Sequence, residues 1–192
     1  MAHTKLLDEK ILSIVRSQIG QMIANYEPGL GASEEIGVGE SFEVYILPAS
    51  EIAQASQTAG GLLKALQRTG DWHHQISVRG ASSAFARSGV IGPVDQEWSV
   101  QSLFISDIAA KIDAAVAQID SEHAHDDAEV LFVAVPAYHV HAFVVEHSGK
   151  PNVLVVDSPY KAPGPEEKTL YSEAAFLASL LAVPHIQGLA SE

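Results

Sequence analysis

The stretch EVLFVAVPAYHVHAFVVEHSGKPNVLVVDSPY, residues 129–160, holds three β-forming runs: Glu129 to Val135, Tyr138 to Glu146 and Val153 to Asp157. They are rich in Val, Phe and Tyr, side chains that pack well on a pleated surface. Pro136 breaks the first junction, and Ser148, Gly149 and Pro151 mark the second as a turn. The runs flanking that turn are apolar on both faces, the pattern of strands covered on both sides. Connections this short require antiparallel pairing, because a parallel crossover needs about a dozen residues or more.

Helical periods flank this segment. From Ser102 to about Ser121, residues Phe104, Ile105, Ile108, Ile112, Ala115, Val116 and Ile119 recur near a period of 3.6 and predict a central buried helix. Tyr171 to Leu181 predicts a closing helix. Near the N-terminus, Leu7, Ile11, Ile14, Val15, Gln18, Met22 and Tyr26 place a helix over about Thr4 to Asn25, ended by Pro28-Gly29. Glycine-rich Leu30 to Glu40 reads as a loop, and alternating Phe42, Val44 and Ile46 as a strand. Ser50 to Arg68 predicts a helix weakened by Gly60-Gly61. Trp72 to Arg87 predicts a hairpin turning at Arg79 to Ser82, followed by a linker over Ser88 to Gln101. The order predicts an α+β fold: an antiparallel sheet packed against a central buried helix, with helices at both termini. The 192 residues suit one domain, with an N-terminal subregion over 1–90 and a core over 96–182.

Composition narrows the function. Twenty-four acidic against 11 basic side chains give a net charge of -13. No block of Lys or Arg interrupts this excess, so a phosphate backbone or an anionic membrane would be repelled and a basic protein or peptide attracted. The longest apolar neighbourhood, Val130 to Val145, is broken by Pro136, His139 and His141, short of the ~20 apolar residues of a membrane helix. The first twenty residues mix charged and apolar side chains and show no signal-peptide core. The expectation is a soluble protein, cytoplasmic or exported without a classical signal, of open oligomeric state. With no cysteine there is no disulfide, thiolate metal site or catalytic thiol.

A hairpin centred on Gly149 pairs residues so that Val145 faces Val153, Phe143 faces Val155 and His141 faces Asp157. Direct cross-strand neighbours have Cβ atoms ~4.5 to 5.5 Å apart, close enough for a carboxylate to orient an imidazole. An oriented imidazole is the base half of a nucleophilic site. Ser102, at the expected start of the buried helix, is the candidate nucleophile, and Gln96 the candidate amide donor to a developing oxyanion.

The order Gln96, Ser102, His141, Asp157 resembles the papain-like and transglutaminase-like superfamily. Its members set a catalytic Cys at the N-terminus of a buried helix, then a His and an Asp or Asn on successive strands. HAFVVE (141–146) and VVDSP (155–159) look like the transglutaminase-like His and Asp strands. The resemblance covers residues 96–159 and implies acyl transfer or amide or ester hydrolysis without a cofactor. Ser stands where the family has Cys, and a hydroxyl cannot form the thiolate of the family's mechanism. The resemblance therefore also fits an inactive member.

Two further readings stay open. An acidic, non-enzymatic binding or chaperone-like domain for a basic protein needs no site residues. His139 and His141 form an HxH pair that strand alternation would set on one face, as a metal would require. His123, His125, Asp126 and Asp127 form another polar cluster, more in keeping with a solvated loop. His73 and His74 alternate faces and cannot act together.

Overall fold

The computed structural model describes residues 7–26, 36–78, 80–91, 97–122, 128–147 and 149–185. It is an α+β fold: helices α1 (Glu9–Tyr26), α2 (Ala49–Ala55), α3 (Gly61–Ala65), α4 (Ile108–Glu122) and α5 (Glu173–Leu181) accompany strands β1 (Ile36–Ile46), β2 (Gln67–Val78), β3 (Ala81–Ile91), β4 (Glu97–Ile105), β5 (Glu129–Val135), β6 (Val140–His147), β7 (Lys150–Asp157) and β8 (Leu170–Ser172). The strands hydrogen-bond in the order β4-β3-β2-β1-β5-β6-β7-β8. The pairs β2–β3, β3–β4, β5–β6, β6–β7 and β7–β8 are antiparallel, while β1–β5 is parallel, with Val44 opposite Phe132. No helix among the described residues is long and apolar enough to cross a membrane.

The chain forms two compact units interleaved in sequence. One comprises residues 1–4, 44–69 and 114–192, the other 5–43 and 70–113.

In the first unit, β5, β6 and β7 carry Val133, Val135, Val144, Val153 and Val155 against Ile52 of α2, Leu62 of α3 and Phe176, Leu177 and Leu180 of α5, all buried. The helix expected over Ser50 to Arg68 is two short helices. Gly60 takes a left-handed φ of 69° at the N-cap of α3. Any Cβ at Gly61 would overlap the Ala55 backbone carbonyl, so the two glycines allow the close α2–α3 approach that a continuous helix would not have.

In the second unit, Val15, Ile19 and Ile23 of α1 pack on Ile76, Ala84 and Ala86 of the β2–β3 hairpin. The buried face of α1 is thus rotated from the expected stripe, and Ile14 is exposed. Residues 36–40, expected in a loop, are strand. Gly37 passes close to Ser77, whose Oγ a side chain there would meet, and Gly39 runs beside Gln75. The β2–β3 hairpin turns at Gly80, φ 79°, with Trp72 opposite Ser88 and Ile76 opposite Ala84. The expected linker after it continues as β3 to Ile91 and begins β4 at Glu97.

The decisive departure lies at 102–107. The predicted helix start at Ser102 is strand, and helix begins only at Ile108. Ser106 starts it: its Oγ accepts the Ile108 N–H at 3.3 Å and its carbonyl the Ala109 N–H at 3.3 Å. Phe104 and Ile105 satisfy both the helical and the strand period, and pairing with Phe85 and Ala84 decides for strand.

Candidate functional site

His141 and Asp157 face each other across β6 and β7. The route to that pairing differs from the expected one. His147 lies opposite Lys150, so the turn centre falls half a residue before Gly149. Val144 therefore faces Val153 and Ala142 faces Val155. An irregularity between His141 and Ala142 then shifts the register by one and restores His141 to Asp157. Gly149 at φ 76° and the Glu146 carboxylate, which accepts the Gly149 N–H at 3.1 Å, hold the turn.

The imidazole Nδ1 lies 3.9 Å from Asp157 Oδ2, with the two side chains 30% and 23% exposed. That distance supports an electrostatic contact but exceeds hydrogen-bond reach. Nδ1 is itself buried and has no hydrogen-bond partner among the described residues. The ring lies nearly parallel to Phe132, centroids 5.9 Å apart, which fixes its plane. The pair is an aligned imidazole and carboxylate that a displacement of about 1 Å would bring into hydrogen-bonding contact.

Ser102 lies in β4, half-buried, opposite Arg87 of β3, and belongs to the other unit. A residue in mid-strand has no helix dipole and no free helical N–H groups beside it, so the electrostatic reason for choosing Ser102 is lost. Gln96 lies outside the described residues, as do His123, His125, Asp126 and Asp127. His139 is exposed at a left-handed φ of 52° after the 3-10 turn Pro136–Tyr138 and precedes β6, so strand alternation does not align it with His141. Among the described residues no group of three His, Cys, Asp or Glu is placed to hold a metal.

Sequence reading missed a buried polar system in the second unit. His74 is fully buried on β2, its Nδ1 2.8 Å from Ser41 Oγ and its Nε2 2.6 Å from Ser88 Oγ. Burial lowers its pKa to about 4, so the ring is neutral, donating to one hydroxyl and accepting from the other. On the opposite face, Gln75 Nε2 donates to Ala109 O and Asp113 Oδ1, each at 2.7 Å, while His73 Nε2 lies 3.2 Å from Gln75 Oε1. His73 also stacks on Phe85, and Phe85 on Phe104, with centroids 4.6 and 5.0 Å apart. The signal in the sequence is HHQ inside a strand, three consecutive polar residues that occupy both faces of the sheet.

Also missed was the exposure of β4. Ile105 is 81% and Phe104 47% exposed. A cleft of about 130 Å³ beside α2 and α3, lined by Glu51, Gln54, Thr58, Gly61 and Lys64 among others, is well below the ~300 Å³ of small-molecule sites. Comparison with protein families, with curated proteins and with solved structures gives no match for this chain.

Proposed function

We propose that the chain is a non-catalytic binding domain for a basic protein or peptide partner. The observation that carries this reading is the acidic excess, -13 over 192 residues. It is spread over both units: among the described residues the first has nine Asp and Glu against five Lys and Arg, the second eight against four. An acidic excess on each unit attracts a cationic partner and speeds encounter. Large apolar side chains left at the surface, Ile105 above all, supply contact area that charge alone lacks.

The test is fluorescence anisotropy with a labelled peptide alternating lysine and valine, and a glutamate-valine peptide as control. The reading expects saturable binding of the lysine peptide, weakening steeply with added salt because exposed charges are screened beyond ~10 Å at 0.1 M. His141→Ala should bind as the parent does. Absence of binding at low salt contradicts the reading.

A second reading, the papain-like or transglutaminase-like core, is favoured by one observation, the His141–Asp157 pairing. It requires a nucleophile at that imidazole. Labelling of the parent chain by an acylating or phosphonylating serine probe, lost in both Ser102→Ala and His141→Ala, would establish it; equal labelling of all three chains would remove it.

A further inference from the structure

Among the described residues β4 stands at the end of the strand order with β3 as its one strand neighbour. Edge strands expose unpaired N–H and C=O groups, and natural proteins guard them with lysine, proline, inward charges or bulges. Over nine residues, Glu97 to Ile105, β4 holds one charged side chain, no lysine and no proline. Its N-terminal half is closed from within: Gln18 of α1 places Oε1 2.7 Å from the Val100 N–H. The register shift between Arg87 and Ser88 passes over Gln101, whose Nε2 reaches toward Asp71 Oδ1 at 3.5 Å. The C-terminal half, Ser102 to Ile105, has no such guard among the described contacts, and it carries the two exposed apolar side chains, Phe104 and Ile105. The ring stack His73–Phe85–Phe104 steps across β2, β3 and β4 and ends at Phe104, half of which faces solvent.

We infer that Ser102 to Ile105 is a strand-addition site, and that its occupant is an extended segment of a basic protein. The segment pairs its backbone with β4 and continues the ring stack with an aromatic side chain on Phe104. Backbone pairing gives affinity without demanding a sequence, and alternate side chains of the added strand meet Phe104 and Ile105 on the two faces. Charge selects the occupant. Glu97 and Asp107 bracket the strand, Asp107 largely exposed and 3.6 Å from Lys111 Nζ; Arg87 lies opposite Ser102, and the excess that selects a basic occupant is that of the unit, whose described residues are acidic by two to one. A second copy of the same chain would bring the same net negative charge to the edge and be disfavoured. This assignment rests on the acidic-binding reading above and gives it a location.

The experiment uses a fluorescein-labelled lysine-valine peptide with one central tyrosine, and the same peptide N-methylated at alternate residues. N-methylation removes strand-pairing donors and leaves the charge unchanged. The expected result is weakening of about tenfold or more on N-methylation, as loss of two or three net hydrogen bonds implies. Ile105→Ser should weaken the unmodified peptide severalfold, and because Ile105 is so exposed the variant should melt as the parent does. Binding of both peptides equally, unchanged by Ile105→Ser, overturns the β4 site but leaves the acidic-binding reading standing. No binding of either peptide at low salt overturns both. Sedimentation showing a dimer that Ile105→Ser dissociates also overturns the assignment, because the edge then belongs to a second copy.

Discussion

At the scale of single residues, the contact between His141 and Asp157 was legible from strand pattern and a turn signal alone, although the intervening register was not. A turn residue fixes a hairpin's centre only to within half a position, and a bulge beside Val156 cannot be read from a run of apolar residues. His74 was not legible as a site, because whether a strand histidine meets water or two serines depends on its neighbouring strands. Its chemistry predicts an acid sensitivity. A folded-state pKa near 4 against about 6.5 unfolded means the unfolded chain binds the proton first. Stability from this group is complete above about pH 6.5 and declines as pH falls toward 4, by an amount on the order of 3 kcal/mol. Urea melts between pH 7.5 and 4.5 should show that decline, and His74→Asn should flatten the part of it lying between those two values. An unchanged slope in the variant would assign the acid sensitivity elsewhere.

At the scale of elements, the strands of the β5–β7 segment were predictable because β-branched residues, turn residues and short loops agree. The start of α4 was not, because Phe104 and Ile105 fit two periods and only pairing with β3 separates them. Ser102 inherited a role from that misplaced helix end. The break at Gly60-Gly61 was visible as a weakness, but its cause is tertiary: the Glu173 carboxylate accepts the Gly60 N–H at 2.9 Å and the Leu62 N–H at 2.7 Å. Residue 173, at the start of α5, thus caps α3 from more than a hundred residues away. Glu173→Ala should cost about 1 to 2 kcal/mol, and Glu173→Gln less, since the amide oxygen keeps one acceptor. Gly61→Ala should cost about 1 to 3 kcal/mol, because a methyl group there meets the Ala55 backbone rather than a movable side chain. Thermal melts of the three variants check both numbers, and a Gly61→Ala chain as stable as the parent would show that α2 and α3 do not need their present approach.

At the scale of the whole molecule, the α+β class followed from element order, while the parallel β1–β5 pair and the edge position of β4 did not, since strand order is a property of long-range contacts. Net charge was legible at once and remains the broadest functional clue. What it lacked was a surface, and the open half of β4 provides one. The most direct measurement is hydrogen exchange of the chain with and without the tyrosine-bearing lysine-valine peptide. Slowed exchange confined to Ser102 to Ile105 and the adjoining β3 amides is the predicted result. Binding accompanied by unchanged exchange along β4 would contradict the account.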